Sequence, residues 1–261
     1  MELPVAEWHR AVFVRRSRRS FSIRPIPAAL KNRLNACAAQ FRPFPEVRAI
    51  FVDREPESVL KGAVGSYGRI TGAPAYAAFI GDESAPSVRE GIGYTGEGFI
   101  LSATDAGLGT CWVSGFFRPE AVGRHIELRP GERVFAVTPV GFAADALTAK
   151  DRVYRALARS NGRKPLSGIV RGEVPRPWQR SALEAARLAP SAGNRQPWRF
   201  NVEPDAIAVE TNGRRDSDHF PKRLDCGIAM LHLELGARAA GAAGRWEPLF
   251  PPSLARYKII V

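Results

Sequence analysis

Apolar residues recur at intervals of three and four in several separate stretches of the chain, the spacing that predicts helices. In one of these, 27–41, Pro27 lies in the first turn and Leu30, Leu34 and Ala38 follow at helical spacing. Shorter apolar runs between the helices predict strands. The predicted helices are 5–15, 27–41, 87–106, 118–126, 148–159, 178–188 and 224–240, and the predicted strands are 47–53, 75–80, 134–142, 198–202, 206–211 and 256–261.

Two of the predicted helices, 87–106 and 224–240, are apolar on most sides, which is typical of helices buried in a core. A short extended segment is expected at 111–117 and a connecting arm at 163–171. Helices and strands alternate without the regular spacing of βαβ units. The pattern therefore predicts an α+β protein with mixed β-sheet flanked by helices.

The chain also contains a weak internal repeat. The end of the first long helix, 107–112, resembles the segment 241–246, since each begins with glycine and ends in tryptophan. The order of helix, proline-containing turn and strand over 30–52 returns over 183–202. We therefore predict two unequal halves, 1–170 and 171–261, packed as one globular unit that imitates a two-fold dimer.

The chain is strongly basic, with a formal net charge of +12, and lysine supplies only six of its 38 basic residues. Such an excess of arginine indicates either affinity for phosphates and other anions or simply a biased genomic base composition. The basic and aromatic stripes of a nucleic-acid reader are missing from the sequence, so a nucleic-acid partner is not expected.

Cysteine usage and hydropathy predict a location. The three cysteines lie far apart and form no CxxC pair, a pattern that favours a reducing cytosol over disulfides or a zinc site. No apolar run reaches the length of a bilayer span, and the N-terminus lacks the apolar segment of a signal peptide. We therefore expect a cytoplasmic protein that does not bind a membrane.

A basic segment follows the first predicted helix. Arg15, Ser17 and Arg19 alternate, so an extended backbone would place them on one side, with Arg16 between them. Arginine forks and a hydroxyl match the oxygens of a phosphate. The same residues also fit a solvated basic run or a weak nucleic-acid patch.

Two further stretches carry polar groups in unusual places. Glu97 lies within the first long apolar helix, where a carboxylate needs a partner, and glycines surround it. Those glycines indicate either close approach of a ligand or tight helix packing. Later, a proline ends the helix 178–188, and a turn rich in small polar side chains precedes the strand 198–202. This turn, with Pro190, Ser191, Asn194 and Gln196, suits a polar ring system.

Together these stretches resemble the FMN-dependent nitroreductase family. The family's Arg-x-Ser-x-Arg phosphate segment is matched by Arg15, Ser17 and Arg19, and its Gly-Leu-Gly helix end followed by Trp is matched over 107–112. The resemblance implies that a backbone amide of the segment Glu97, Gly98 and Phe99 lies at flavin N5. It further implies FMN contacts from a closing arm with Arg163 and Lys164, and from the turn with Pro190, Ser191, Asn194 and Gln196.

The order of the motifs departs from that of most family members. The polar turn, which normally follows the phosphate segment and comes from a partner subunit, lies here in the second half of the same chain. This resembles the single-chain nitroreductases with two unequal halves. It implies one flavin site per chain and a monomer that acts as a pseudo-dimer.

The resemblance implies an NADH- or NADPH-dependent oxidoreductase with ping-pong hydride transfer through flavin N5 to a nitroaromatic or quinone-type small molecule. No side chain is expected to act as a nucleophile or general acid, because the flavin carries the chemistry. The alternatives are a flavin-binding or flavin-less pseudoenzyme or sensor on the same fold, and a basic nucleic-acid-associated protein.

The remaining histidines and acidic residues do not predict a metal site. His232 lies on an apolar helix and is expected to be a core or interface residue. Asp216, Asp218 and His219 are interpreted as a polar loop rather than as metal ligands.

Overall fold

The computed structural model describes residues 1–54, 56–60, 70–115, 117–144, 162–213, 216 and 221–260. The helices in these ranges are α1 (Val5–Val14), α2 (Ala28–Gln40), α3 (Pro56–Leu60), α4 (Val88–Asp105), α5 (Pro119–Gly123), α6 (Pro177–Arg187) and α7 (Lys222–Ala239). The strands are β1 (Val47–Val52), β2 (Ala75–Asp82), β3 (Gly109–Thr110), β4 (Glu132–Gly141), β5 (Val170–Arg171), β6 (Trp198–Glu203), β7 (Ala206–Thr211), β8 (Gly244–Pro248) and β9 (Ser253–Ile259).

The strands form two sheets. The first has the order β1-β2-β4-β3 and is antiparallel throughout. The second has the order β5-β6-β7-β9-β8 and is antiparallel apart from the β5–β6 pair, which is parallel. Without β5, the two sheets follow the same order, because β6, β7, β9 and β8 take the places of β1, β2, β4 and β3.

Helices α4 and α7 cross at the centre of the molecule, and glycines make the close approach possible. A Cβ atom on Gly93 would overlap the backbone oxygen of Leu224, and one on Gly227 would overlap that of Glu90. The buried side chains around this crossing belong to one continuous cluster that reaches both sheets. The crossing therefore holds the two sheets and their helices in one packed unit.

The structure confirms the α+β class, with mixed sheets flanked by helices. The predicted elements that lie in the described residues are present, with small shifts at their ends. Strand β9 begins three residues before the predicted start, where it pairs with β8. The predicted helix 148–159 lies outside the described residues. None of the described helices is both long and apolar enough to cross a bilayer.

Sequence reasoning missed the short elements α3, β3, β5 and β8, and residues 111–115 and 117 of the predicted extended segment are mostly loop. In that segment Val113 makes a bridge with Val137 of β4. The predicted boundary between 170 and 171 falls inside β5, whose two residues pair with Phe200 and Asn201 of β6. The division of the chain into two halves stays a prediction.

The glycines of the helix crossing should be intolerant of side chains. We expect Gly93→Ala or Gly227→Ala to destabilise the protein by about 2 kcal/mol or more, because the added methyl group overlaps backbone that cannot yield cheaply. Chemical denaturation monitored by circular dichroism measures the change. Gly123→Ala is the control, since a Cβ there meets nothing within 4 Å. Equal stabilities of the three variants would show that the helices do not cross as closely as described.

Candidate functional site

The basic segment after α1 runs along the edge of the first sheet. Ser17 forms a parallel bridge with Thr110 of β3, and the Arg18 amide donates to the Thr110 carbonyl at 2.7 Å. The extended backbone points neighbouring side chains in opposite directions. Arg15 is therefore buried and Arg16 exposed, while Ser17 and Arg19 are half-buried.

Arg15 is the most unusual residue of this segment, because its guanidinium is only 6% exposed. Its Nε lies 3.6 Å from Oε1 of Glu97, an ion-pair distance that is too long for a hydrogen bond. Among the described residues, its Nε and Nη1 atoms have no hydrogen-bond partner. Burial lowers the Arg15 pKa and the charge of Glu97 partly opposes this. Buried donors without partners are costly, and an anionic ligand would satisfy them.

The arm places a second arginine close to the first. Arg163 donates from Nη1 to Oδ1 of Asn194 at 3.1 Å and from Nη2 to the Leu188 carbonyl at 3.2 Å. Burial, followed by the positive charges of Arg15, Arg16 and Arg187, lowers the pKa of Arg163 to about 10. The guanidinium groups of Arg15, Arg16 and Arg163 are thus close enough to repel one another, and a bound anion would relieve that repulsion.

The polar turn is tied to the arm through the side chains that the sequence indicated. The Lys164 amide donates to Oε1 of Gln196 at 2.8 Å, and Nδ2 of Asn194 donates to the Gly162 carbonyl at 2.8 Å. The Lys164 ammonium donates to the carbonyls of Arg195 and Gln196. The structure therefore brings together the arm and the turn, which are separated by some 30 positions in the chain.

The turn has an unusual backbone conformation, held by two side chains. Asn194 and Gln196 have φ angles of 52° and 49°, in the left-handed region that most residues avoid. Oγ of Ser191 accepts the Gln196 amide at 2.9 Å, and the Asp225 carboxylate accepts the Ala192 amide at 3.1 and 3.2 Å. Pro190 precedes the turn and is buried. Strain that is held in place by such bonds often occurs at ligand sites.

Glu97 and Gly98 lie in the middle of α4, where the Glu97 carboxylate is 3.6 Å from the Arg15 guanidinium. The Glu97 carboxylate is fully buried, accepting Nε1 of Trp112 at 2.7 Å and contacting Nε2 of His232 at 2.9 Å. A Cβ on Gly98 would overlap Phe41. An amide inside an α-helix already donates to the carbonyl four residues earlier, so this position does not favour the amide contact with flavin N5 that the resemblance implies. That role stays a prediction.

Sequence reasoning correctly expected His232 in the core, where it is 0% exposed, but it missed the contact with Glu97. It also missed Asp225 as the residue that holds the turn, and Thr110 as the partner of the basic segment. Buried acidic residues in apolar helices were the available signal, since each requires a partner. Spacing along the chain could not identify those partners. Asp216 is described, whereas Asp218 and His219 lie outside the described residues.

Comparisons with known proteins identify the family and the fold of the chain. A family model described as "Putative TM nitroreductase" matches residues 7–237, so the chain belongs to this nitroreductase family. The crystal structure of a Thermotoga maritima protein of the same description is 19% identical, with a TM-score of 0.64, and the match covers 97% of this chain and 94% of that chain. The predicted family and the nitroreductase-like fold are confirmed.

More distant structural matches cover about half of this chain. A Bacteroides fragilis nitroreductase with bound FMN is 16% identical, with a TM-score of 0.43, over 54% of this chain and 91% of that chain. A Bacteroides thetaiotaomicron protein named as an NADH dehydrogenase/NAD(P)H nitroreductase is 18% identical, with a TM-score of 0.44, over 54% of this chain and 88% of that chain. TM-scores this low support no conclusion about this chain. No curated protein sequence matches the chain significantly.

The bond between Gln196 and the arm can be tested directly. We expect Gln196→Ala to speed amide hydrogen exchange at Lys164 by about three- to tenfold, because the amide loses its side-chain acceptor. Hydrogen exchange read by mass spectrometry over the peptide that contains Lys164 measures this. Gln40→Ala, at an exposed glutamine that ends α2, is the control. Unchanged exchange in Gln196→Ala would argue that the arm is held by other contacts.

Asp225 predicts a pH dependence of stability. Burial raises the Asp225 pKa well above its usual range, so the folded state binds this proton more tightly than the unfolded state does. The contribution of Asp225 to stability is therefore full below about pH 4, the unfolded pKa, and declines as the pH rises toward the folded pKa. Asp225→Asn should remove that decline, so that the variant gains stability relative to the wild type between pH 4 and neutrality. Thermal melts across this range measure the difference, and parallel curves would contradict the assignment.

Proposed function

We propose that the chain is an FMN-dependent NAD(P)H oxidoreductase that reduces small electron-poor acceptors such as nitroaromatics or quinones. The observation that carries the proposal is the buried Arg15 guanidinium, with two unpartnered donors, close to Arg16 and Arg163. Such a cluster of positive charge fits the phosphate of FMN. The adjoining arm and turn offer amide and hydroxyl groups suited to a flavin ring.

In this proposal the chain's own residues bind and orient the cofactor. Arg15, Arg16, Ser17 and Arg19 hold the phosphate, with Arg163 and Lys164 closing over it. The turn formed by Pro190, Ser191, Asn194 and Gln196 lies against the ring system. When bound, FMN supplies two-electron chemistry, taking a hydride from NADH or NADPH and delivering reducing equivalents to the acceptor.

The fold supports a pseudo-dimeric organisation of this site. Apart from β5, the two sheets share one strand order, and β5, which spans the predicted boundary between the halves, pairs with β6 of the second half. The basic segment and the arm come from the first half, and the turn comes from the second. A site that draws on both halves fits one flavin per chain in a cytoplasmic monomer.

The cofactor can be tested by titrating the purified protein with FMN and with riboflavin, which has no phosphate. We expect FMN to bind at about one per chain and much more tightly than riboflavin, because phosphate contacts from charged donors are strong. NADH or NADPH should then bleach the flavin absorption, and a quinone should restore it. Failure to bind FMN would refute the proposal. FMN binding without reduction would identify a sensor or pseudoenzyme, and salt-sensitive DNA retention without flavin would identify a nucleic-acid-associated protein.

Replacement of the phosphate ligands gives a sharper test. The double change Arg15→Ala with Arg19→Ala should weaken FMN binding by about tenfold or more and leave riboflavin binding nearly unchanged, since charged hydrogen bonds contribute roughly 1.5–3 kcal/mol each. Arg10→Ala is the matched control, because this exposed arginine on α1 lies 4.0 Å from Asp105, away from the proposed site. Flavin fluorescence quenching gives both affinities. Equal losses for FMN and riboflavin would contradict the phosphate assignment.

A further inference from the structure

Two buried carboxylates occupy corresponding places in the fold. Glu97 on α4 accepts Nε1 of Trp112 at 2.7 Å, and Glu234 on α7 accepts Nε1 of Trp246 at 2.8 Å. Each tryptophan follows the helix that carries its carboxylate. Each carboxylate also contacts a side chain of the other long helix: Glu97 contacts His232, and Glu234 accepts the hydroxyl of Tyr94 at 2.6 Å.

The arginines beside these carboxylates differ. The Arg238 guanidinium forms two hydrogen bonds: Nε donates to Glu234 at 2.7 Å, and Nη2 donates to the Gly244 carbonyl at 3.2 Å. Arg15 approaches Glu97 at 3.6 Å and keeps Nε and Nη1 without hydrogen-bond partners in the described part of the chain. The second half thus contains a closed ion pair where the first half contains an arginine that can accept an anion.

The Glu97 carboxylate also differs from that of Glu234 in having a histidine as its partner on the other long helix. Nε2 of His232 lies 2.9 Å from Oε1 of Glu97, and Nδ1 lies 3.2 Å from the Ala185 carbonyl. Both partners of the imidazole are oxygen acceptors. A neutral ring has a single N–H donor, so opposite an ionised carboxylate its other nitrogen would face an oxygen with lone pair against lone pair. One proton must lie between Glu97 and His232. Whichever residue carries it, the pair has no net charge.

The charge of Arg15 is therefore not cancelled by Glu97. Besides Glu97, the titratable groups that act on Arg15 are Cys111, after β3, and Arg16, while His9 on α1 faces His232. Burial, and then the positive charge of His232, lowers the His9 pKa, which favours its neutral form. The cluster of Arg15, Glu97 and His232 carries one net positive charge in a site with little water.

We propose that His232 and Glu97 are positioning residues for an anionic ligand, because the imidazole balances the carboxylate and leaves the Arg15 charge available to a phosphate. This inference rests on the proposed function insofar as the phosphate is that of FMN. Neither residue touches the ligand; both act through Arg15. The inference does not require the amide contact between Glu97 or Gly98 and the flavin.

A charge cycle tests it. His232→Gln keeps a donor for Glu97 but removes the balancing proton, so Glu97 neutralises Arg15. We expect the ratio of FMN to riboflavin affinity to fall about tenfold, the effect of one unit charge acting over a short, poorly hydrated distance. The double variant His232→Gln with Glu97→Gln removes both charges and should restore the ratio. Glu234→Gln, the corresponding change in the second half, should leave it unchanged.

The restoration distinguishes positioning from a merely structural role, which would make the double variant worse than the single one. An unaltered ratio in His232→Gln, or a lowered ratio that the double variant does not restore, would overturn the inference. Circular dichroism melts identify variants that fail to fold. If His232→Gln does not fold, His232→Asn, which also keeps a donor and removes the balancing proton, replaces it in both the single and the double variant, with the same expected fall and restoration of the ratio.

The wild type, His232→Gln, the double variant and Glu234→Gln are also titrated with inorganic phosphate alone, and the melting temperature is measured. Phosphate should stabilise the wild type and the double variant and have less effect on His232→Gln. If this pattern holds while FMN does not bind, the proposed function fails and the inference stands. If the wild type binds FMN, but His232→Gln changes neither the stabilisation by phosphate nor the ratio of FMN to riboflavin affinity, the inference alone fails. If neither FMN nor phosphate binds, both are refuted.

Discussion

Helices α4 and α7 cross so closely that their packing fixes the surroundings of the buried side chains between the two sheets. The two helices meet through Gly93 and Gly227, with backbone against backbone, and the carboxylates of Glu97 and Glu234 are buried beside the crossing. A buried carboxylate must be matched by donors, since its desolvation otherwise costs several kcal/mol. Trp112 and His232 match Glu97, while Trp246, Tyr94 and Arg238 match Glu234. The crossing therefore determines which side chains surround the candidate site.

The candidate site concentrates positive charge where the stability of the protein does not benefit from it. Burial lowers the pKa of Arg163, and repulsion from Arg15, Arg16 and Arg187 lowers it further. The strained turn at Asn194 and Gln196 adds a further cost. Unfavourable charges and strained backbone persist in folded proteins where a ligand compensates for them, which is why such places are good candidates for function.

Long elements can be predicted from the sequence, whereas short elements depend on contacts with distant parts of the chain. Helices α4 and α7 were predicted well because an apolar run of their length has few alternatives. The short strands β3, β5 and β8 were missed, since two to five residues form a strand only when a neighbouring strand supplies the hydrogen bonds. Val113 illustrates the same limit: its predicted extended segment forms a single bridge to Val137 and is otherwise loop. The turn is conspicuous in the sequence because glycine, proline and polar side chains cluster there, and the arm because it resembles a family motif; the structure brings the two into contact.

Hydrophobic periodicity in the sequence predicts the α+β class and the long buried helices, because this signal acts over a few neighbouring residues. The family, and Arg15, Arg163, Asn194 and Gln196 as candidate ligands, come from the resemblance of several motifs taken together. The tertiary structure alone decided that Arg15 is buried, that Asp225 holds the polar turn, and that the Glu97 carboxylate faces the core. It also decided that the partner of Glu97 is His232, 135 positions further along the chain. Such pairings depend on how helices cross and which side chains lose their water, and no spacing within the sequence encodes that distance.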